Sequence, residues 1–233
     1  MKKIIYALAL LVSINQAACK KDKNNNLLVK DIDGNLYHTV KIGNQTWMVE
    51  NLKTTHFRDN SEINLSENTW SNITDPSYCW FFNNQAYKDT YGALYNWYAV
   101  NDPRGIAPEG WHVATYADWD TLIAYLGGDA SSAGIKLKEA GNAHWTVSAG
   151  ISSDNSSGFT ALPGGYRRHD NSNFAQNGNY GHFWTSGEDQ ANGTVAYIRL
   201  DYNSNVFNYL TQPYLFNNFE SKSFGFSVRC VKD

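Results

Sequence analysis

Ser223-Phe224-Gly225-Phe226-Ser227-Val228-Arg229-Cys230 alternates residue by residue, placing Phe224, Phe226, Val228 and Cys230 on one side. Successive side chains of a β-strand point to opposite faces, so the stretch predicts a half-buried closing strand. Near the other end, Leu27 to Leu52 also reads as strands. Asp33-Gly34 and Gly43-Asn44 are turn dipeptides flanking Leu36-Tyr37-His38-Thr39-Val40-Lys41-Ile42 and Gln45-Thr46-Trp47-Met48-Val49-Glu50, the signature of hairpins. Strands at both ends with helices between them predict an α+β fold in which the terminal strands are neighbours in one sheet.

Two helices are predicted in the middle. Tyr91, Leu94, Tyr95 and Tyr98 fall at i, i+3, i+4 and i+7, with Asp89 or Thr90 able to cap the start. Trp119, Leu122, Ile123 and Leu126 repeat that spacing. There Thr115-Tyr116-Ala117-Asp118 resembles a capping box with Asp in place of Glu, and Gly127-Gly128 offers a left-handed stop. Both stripes read as core rather than as cofactor contacts. A third, short helix is expected within 129–140. Residues 53–88 show no clear period and read as long loops with a short strand around Tyr78 to Phe82.

At the N-terminus, Met1-Lys2-Lys3 precedes a largely apolar run from Ile4 to Ile14, and Asn15-Gln16-Ala17-Ala18-Cys19 supplies small residues at a cleavage point. That is the tripartite plan of an export signal, and the run is too short to span a bilayer of about 30 Å. Ala17-Ala18-Cys19 also resembles the lipobox of bacterial lipoproteins, although Gln16 departs from its usual aliphatic first position. The resemblance implies acylation of Cys19 and a stable lipid anchor, since each buried CH₂ contributes about 0.8 kcal/mol. The polar stretch over 20–26 reads as a flexible tether. Cys79 and Cys230 remain, and a pair in an oxidising compartment suggests a disulfide, with two buried free thiols as the alternative. Such a bridge closes a loop of about 150 residues, for which chain entropy gives near 5 kcal/mol. Net charge is -3, so no nucleic-acid partner is expected. Aromatic residues make up 15% and charged residues only 18%, so rings build the core and some are left for a binding surface.

Five blocks stand out in order along the chain: Ile42-Gly43-Asn44-Gln45-Thr46-Trp47-Met48-Val49-Glu50-Asn51-Leu52-Lys53, Tyr91-Gly92-Ala93-Leu94-Tyr95-Asn96-Trp97-Tyr98-Ala99-Val100, Pro108-Glu109-Gly110-Trp111-His112-Val113, Gly158-Phe159-Thr160-Ala161-Leu162-Pro163-Gly164-Gly165-Tyr166-Arg167 and Gly225-Phe226-Ser227-Val228-Arg229-Cys230-Val231-Lys232-Asp233. Together they resemble the Fibrobacter succinogenes major paralogous domain, a family of exported bacterial modules. Ala114 stands where the family often has Pro. The Trp-His-Val opening and the Gly-Phe-Ser-Val-Arg-Cys ending also look like the C-type-lectin-like fold shared with formylglycine-generating enzymes. The expected organisation is a signal peptide over 1–18, a tether over 19–26, and one domain over 27–233. That domain would be C-type-lectin-like, with two main helices, a mixed or antiparallel sheet and long loops. The resemblance implies no activity, because a fold does not confer one.

No catalytic constellation stands out. The six His make no HExxH or other close ligand pair, and there is no Gly-x-Ser-x-Gly elbow or P-loop. Gln212-Pro213-Tyr214 lacks the carboxylate of a lectin Ca²⁺ motif and no Trp-Asn-Asp follows, so no metal or other cofactor is expected. The richest segment is Tyr166 to Phe219, with about ten Asn and twelve aromatics, a mix that gives contact area and adaptable hydrogen bonds. Trp184, Tyr202, Asn203, Asn205, Asn208 and Tyr209 are the expected ligand-binding residues. The function expected is a non-catalytic binding or adhesion module on the cell envelope, lipid-anchored at Cys19, on the outer membrane. Its ligand would be a glycan or an envelope protein. The alternatives are a structural envelope lipoprotein and a polysaccharide-acting enzyme.

Overall fold

The computed structural model describes residues 20–21, 27–68, 70–128, 130–189, 194–203, 207–210 and 221–233. The N-terminal half holds β1 (Lys20–Lys21), β2 (Leu27–Lys30), β3 (Leu36–Ile42), β4 (Gln45–Met48), β5 (Asn64–Leu65), β6 (Ser77–Cys79), α1 (Lys88–Tyr91), β7 (Leu94–Tyr95), α2 (Trp97–Val100) and β8 (Trp111–Val113). After it come α3 (Tyr116–Tyr125), α4 (Ala130–Leu137), β9 (Tyr166–Arg167), β10 (Phe174–Ala175), β11 (Tyr180–Asp189), β12 (Thr194–Asp201), β13 (Phe207–Leu210) and β14 (Cys230–Lys232). The fold is α+β, with more sheet than helix. None of the helices among the described residues is long and apolar enough to cross a membrane.

The terminal strands are adjacent. The largest sheet runs β1-β2-β3-β4-β14-β8, so the closing strand sits between the first hairpin, β3–β4, and β8. Gly43 has φ 61 at the first central position of the two-residue β3–β4 loop, which a II′ hairpin turn requires. Lys20 and Lys21, expected in the tether, pair with Leu28 and Leu27.

The closing segment is more deeply placed than a half-buried strand. Before β14 begins, Gly225 bridges Arg167, Phe226 bridges Tyr95 and Ser227 bridges Phe183. Leu52 N donates to Val228 O at 2.9 Å and Ala114 N to Arg229 O at 3.0 Å. The alternation survives, but both faces are covered. Phe226, Val228 and Cys230 join one core with Tyr37, Met48, Trp97 and Trp184. Val231 joins a second core of Trp47, Trp119, Leu122, Phe159 and Phe183. Arg229, 1% exposed, stacks over Phe159 at 4.5 Å. One strand therefore divides two aromatic cores.

The helix centred on Trp119 forms as its pattern predicts. Thr115 Oγ1 accepts from Asp118 N, Asp118 Oδ2 accepts from Thr115 N at 2.8 Å, and Gly127 and Gly128 follow the end with positive φ. The third helix lies within its expected span. The helix over Tyr91 to Tyr98 does not exist as one element. Gly92 ends α1 at φ 73, Leu94 and Tyr95 pair with Cys79 and Tyr78, and Asn96 caps α2 by accepting from Ala99 N at 3.0 Å. A Cβ on Gly92 would stand 2.8 Å from Leu52 O, so the chain passes here where only glycine fits.

Candidate functional site

Trp184 is not on a surface. It is 2% exposed, its Nε1 donates to Tyr95 O at 2.7 Å, and its ring lies 4.4 Å from Phe226. The indole N–H and ring are both satisfied inside the first core, which corrects the expectation that it meets a ligand. Tyr202 is partly buried against the second core, 6.4 Å from the Tyr180 ring. Asn203 is exposed. Asn208 and Tyr209 lie in β13, in register with Arg199 and Ile198. Asn205 and Cys19 lie outside the described residues.

The expected disulfide is also corrected. Cys79 and Cys230 are both buried free thiols. Tyr95 pairs with Tyr78 on one side and Phe226 on the other, which places Cys79 near the Phe226 level. Cys230 lies four residues, roughly 13 Å, further along the closing strand, beyond the ~7 Å that a disulfide tolerates. Burial pushes the Cys79 thiol up to about 12 against the opposing pull of Arg167, and pushes Cys230 higher still. Both are packing groups rather than nucleophiles.

A row of rings lies elsewhere, on the segment from Phe81 to Tyr91 and on β10, with Phe82 exposed and Tyr87 and Phe174 partly buried. Phe81 is the buried floor, with Phe82 at 4.4 Å, Phe174 at 5.3 Å and Tyr87 at 5.8 Å. Phe82 and Phe174 are 5.6 Å apart, and the row continues through Tyr87 and Tyr91 at 6.0 Å to His144 at 5.8 Å. Phe82 stands out of the surface at 59% exposure, with φ 54 and ψ 23. Left-handed backbone costs a non-glycine residue about 1–2 kcal/mol, and leaving a Phe in water forgoes about 1.5–3 kcal/mol of burial. Both terms oppose folding. A residue held this way is the kind of local cost that collects at functional sites.

The loop that presents Phe82 is held from behind. Arg167, itself buried, donates to Ser66 O, to Glu67 O at 2.8 Å and to Ser172 O at 3.1 Å, and lies over the Phe174 ring at 4.9 Å. Asn83, also left-handed at φ 52, donates to Glu67 O at 2.6 Å. Asn84 Oδ1 accepts from Ala86 N at 2.9 Å, which caps the next turn. A Cβ at Gly165 would meet Ala175 O at 2.4 Å and the Phe81 ring at 3.0 Å. Gly165 is thus what lets the floor close. Exposed Asn83, Asn84 and Gln85 border the rings.

The arrangement is an aromatic strip open to solvent at Phe82 and in part at Tyr87 and Phe174, with amides along its edge, suited to stacking on flat apolar faces and to hydrogen bonding beside them. Among the described residues no three His, Cys, Asp or Glu side chains are grouped to hold a metal ion. The sequence carried the signal, since Trp80-Phe81-Phe82-Asn83-Asn84-Gln85-Ala86-Tyr87 has the same aromatic–amide mix as the later segment. No curated protein and no solved structure matches the chain. Residues 40–232 match the model of the Fibrobacter succinogenes major domain, most of the sequence and the blocks that build both cores, and the chain belongs to that family.

Proposed function

We propose that this protein is an extracytoplasmic binding module, tethered to the cell envelope through a lipid on Cys19, that holds a glycan on the aromatic strip around Phe82. The single observation that carries the reading is Phe82 itself, exposed to 59% and left-handed at φ 54 on a loop braced by Arg167. Stacking on a sugar face recovers the apolar burial that the free protein forgoes, and the bordering amides offer paired donors and acceptors to hydroxyl groups. The anchor on the outer membrane rests on Ala17-Ala18-Cys19 and the polar residues behind it. The finer description of the fold, C-type-lectin-like, is supported by the closing strand lying beside the first hairpin.

A glycan array and an envelope-protein pull-down with the wild-type chain test the reading together, alongside growth on labelled palmitate for wild type and Cys19→Ala. Glycan capture and label lost in the mutant are the expected results. Capture of protein alone moves the ligand to a partner protein. No ligand in either assay leaves a structural envelope lipoprotein, and a shortened glycan product would mean an enzyme.

A further inference from the structure

A second feature lies apart from the aromatic strip. His56 and Glu62 bridge in antiparallel fashion, Ile63 N donates to Thr55 O at 2.8 Å, and β5 then runs parallel to β6. Between these strands opens a cleft of about 630 Å³ walled by Thr55, His56, Glu62, Asn64, Leu65 and Tyr78. That volume lies within the ~300–1,000 Å³ of small-molecule sites.

The wall is built rather than incidental. Asp33 stands behind it and collects His56 Nδ1 at 2.5 Å, Thr54 Oγ1 at 3.0 Å, Thr55 Oγ1 at 3.1 Å and the Thr55 amide. This fixes the imidazole by one nitrogen, and its Nε2 has no partner among the described residues. Tyr78 is only 6% exposed, packed against Trp80 at 5.3 Å, yet its hydroxyl also has no partner among the described residues. Burial, with the nearby charges of Asp33, Glu62 and Glu67, pushes that phenol up to about 12, so it stays a proton donor. Glu62 is exposed and forms no ion pair among the described residues. Beside it Leu65, an apolar side chain, is left open to solvent. Among the described residues no lysine or arginine lines the cleft.

We propose that this cleft is a binding site for an amino sugar, its ammonium group on Glu62 and its ring hydroxyls on His56 Nε2 and the Tyr78 hydroxyl. A carboxylate without a protein cation is complementary to an ammonium group. Two unpartnered polar groups beside it suit hydroxyls, and Leu65 suits the apolar face of the ring. The site shares no residue with the aromatic strip, so it does not depend on that reading.

The test is titration of the full chain in detergent with a β-linked glucosamine trisaccharide, its fully N-acetylated counterpart, the glucose trisaccharide and trilysine. The glucosamine trisaccharide should bind at least ten-fold more tightly than the other three. Glu62→Gln and Tyr78→Phe should each weaken it at least five-fold while melting temperatures stay near wild type. Equal binding of the N-acetylated or glucose trisaccharide would overturn the assignment, as would preference for trilysine or indifference to Glu62→Gln. Phe82→Asn separates the two sites. Retained amino-sugar binding in that variant supports the cleft, and its loss would place the sugar on the aromatic strip and refute the proposal.

Discussion

Replacing Arg229 by Met should destabilise the fold strongly without unfolding it. The guanidinium donates to Asn51 Oδ1 at 2.6 Å and to Met48 O, Phe159 O and Thr160 O, each at 2.9 Å. It thereby ties the end of the first hairpin to the loop after α4. Burial pushes the group down to about 9, which leaves it charged at neutral pH. Met fills a similar volume, so the cavity contribution is small. What remains is four acceptors without this donor, three of them in buried bonds, at about 1–3 kcal/mol each. Against that stands the relief of no longer desolvating a cation, worth several kcal/mol. The orphaned acceptors win, because only one side of each bond is removed, and the expected loss is about 3–5 kcal/mol. Domain stabilities are about 5–15 kcal/mol, so urea unfolding should show a large drop in midpoint with little change in slope. Arg229→Lys should recover only part of it, since one ammonium cannot reach four acceptors in that plane. A loss under about 1 kcal/mol for Arg229→Met would refute the view that this residue joins the two cores.

Gly165→Ala should destabilise by about 2–4 kcal/mol in the same assay, from a left-handed φ of 66 and a Cβ placed 2.4 Å from Ala175 O; an unaltered midpoint would mean that the floor of the strip is not tightly closed. Cys79 and Cys230 should resist a thiol reagent in the native protein and both react after denaturation, and a Cys79–Cys230 peptide in non-reducing mapping would show the register argument to be wrong. His112 sits between Asp233 at 2.7 Å and Asp118 at 3.0 Å. Burial works against its proton, but the two carboxylates raise its pKa above 6.5 on balance. The folded state therefore holds the proton more tightly, and the stability gained is present below pH 6.5 and lost as pH rises through the raised value. Compared with His112→Gln, the wild-type melting temperature should decline over that window, and parallel profiles would dismiss the effect.

Apart from the adjacency of the terminal strands, what could be read from the sequence was local. The Gly43-Asn44 hairpin, the capped helix at Thr115 and the alternation of the closing strand are each decided by neighbours within a few residues. Tertiary context decides the rest. Tyr91, Leu94, Tyr95 and Tyr98 have helical spacing, but Gly92 and strand pairing to Tyr78 and Cys79 override it. The helical pattern presumes one buried face, whereas every residue from Tyr91 to Trp97 is buried. Trp184 and Phe82 are both aromatic residues in amide-rich stretches, and nothing local says which ring faces water. In β11 the flanking His182 and Phe183 face opposite cores, so a strand buried on both sides carries the composition of a binding surface. The cysteine pair misleads for a related reason, because no spacing reveals how far apart two strands lie.

The role proposed for the Phe82 strip is to bind a glycan. The dissociation constant of the strongest glycan from the array, measured by calorimetry for wild type and Phe82→Asn, tests it most directly. Asn tolerates the left-handed backbone, and this relief of strain offsets the packing that the exposed ring gives up, so stability should hold within about 1 kcal/mol. Truncating a central ring of a binding site costs 1 kcal/mol or more, so the affinity should fall at least five-fold. An unchanged dissociation constant in a folded Phe82→Asn protein would contradict the account.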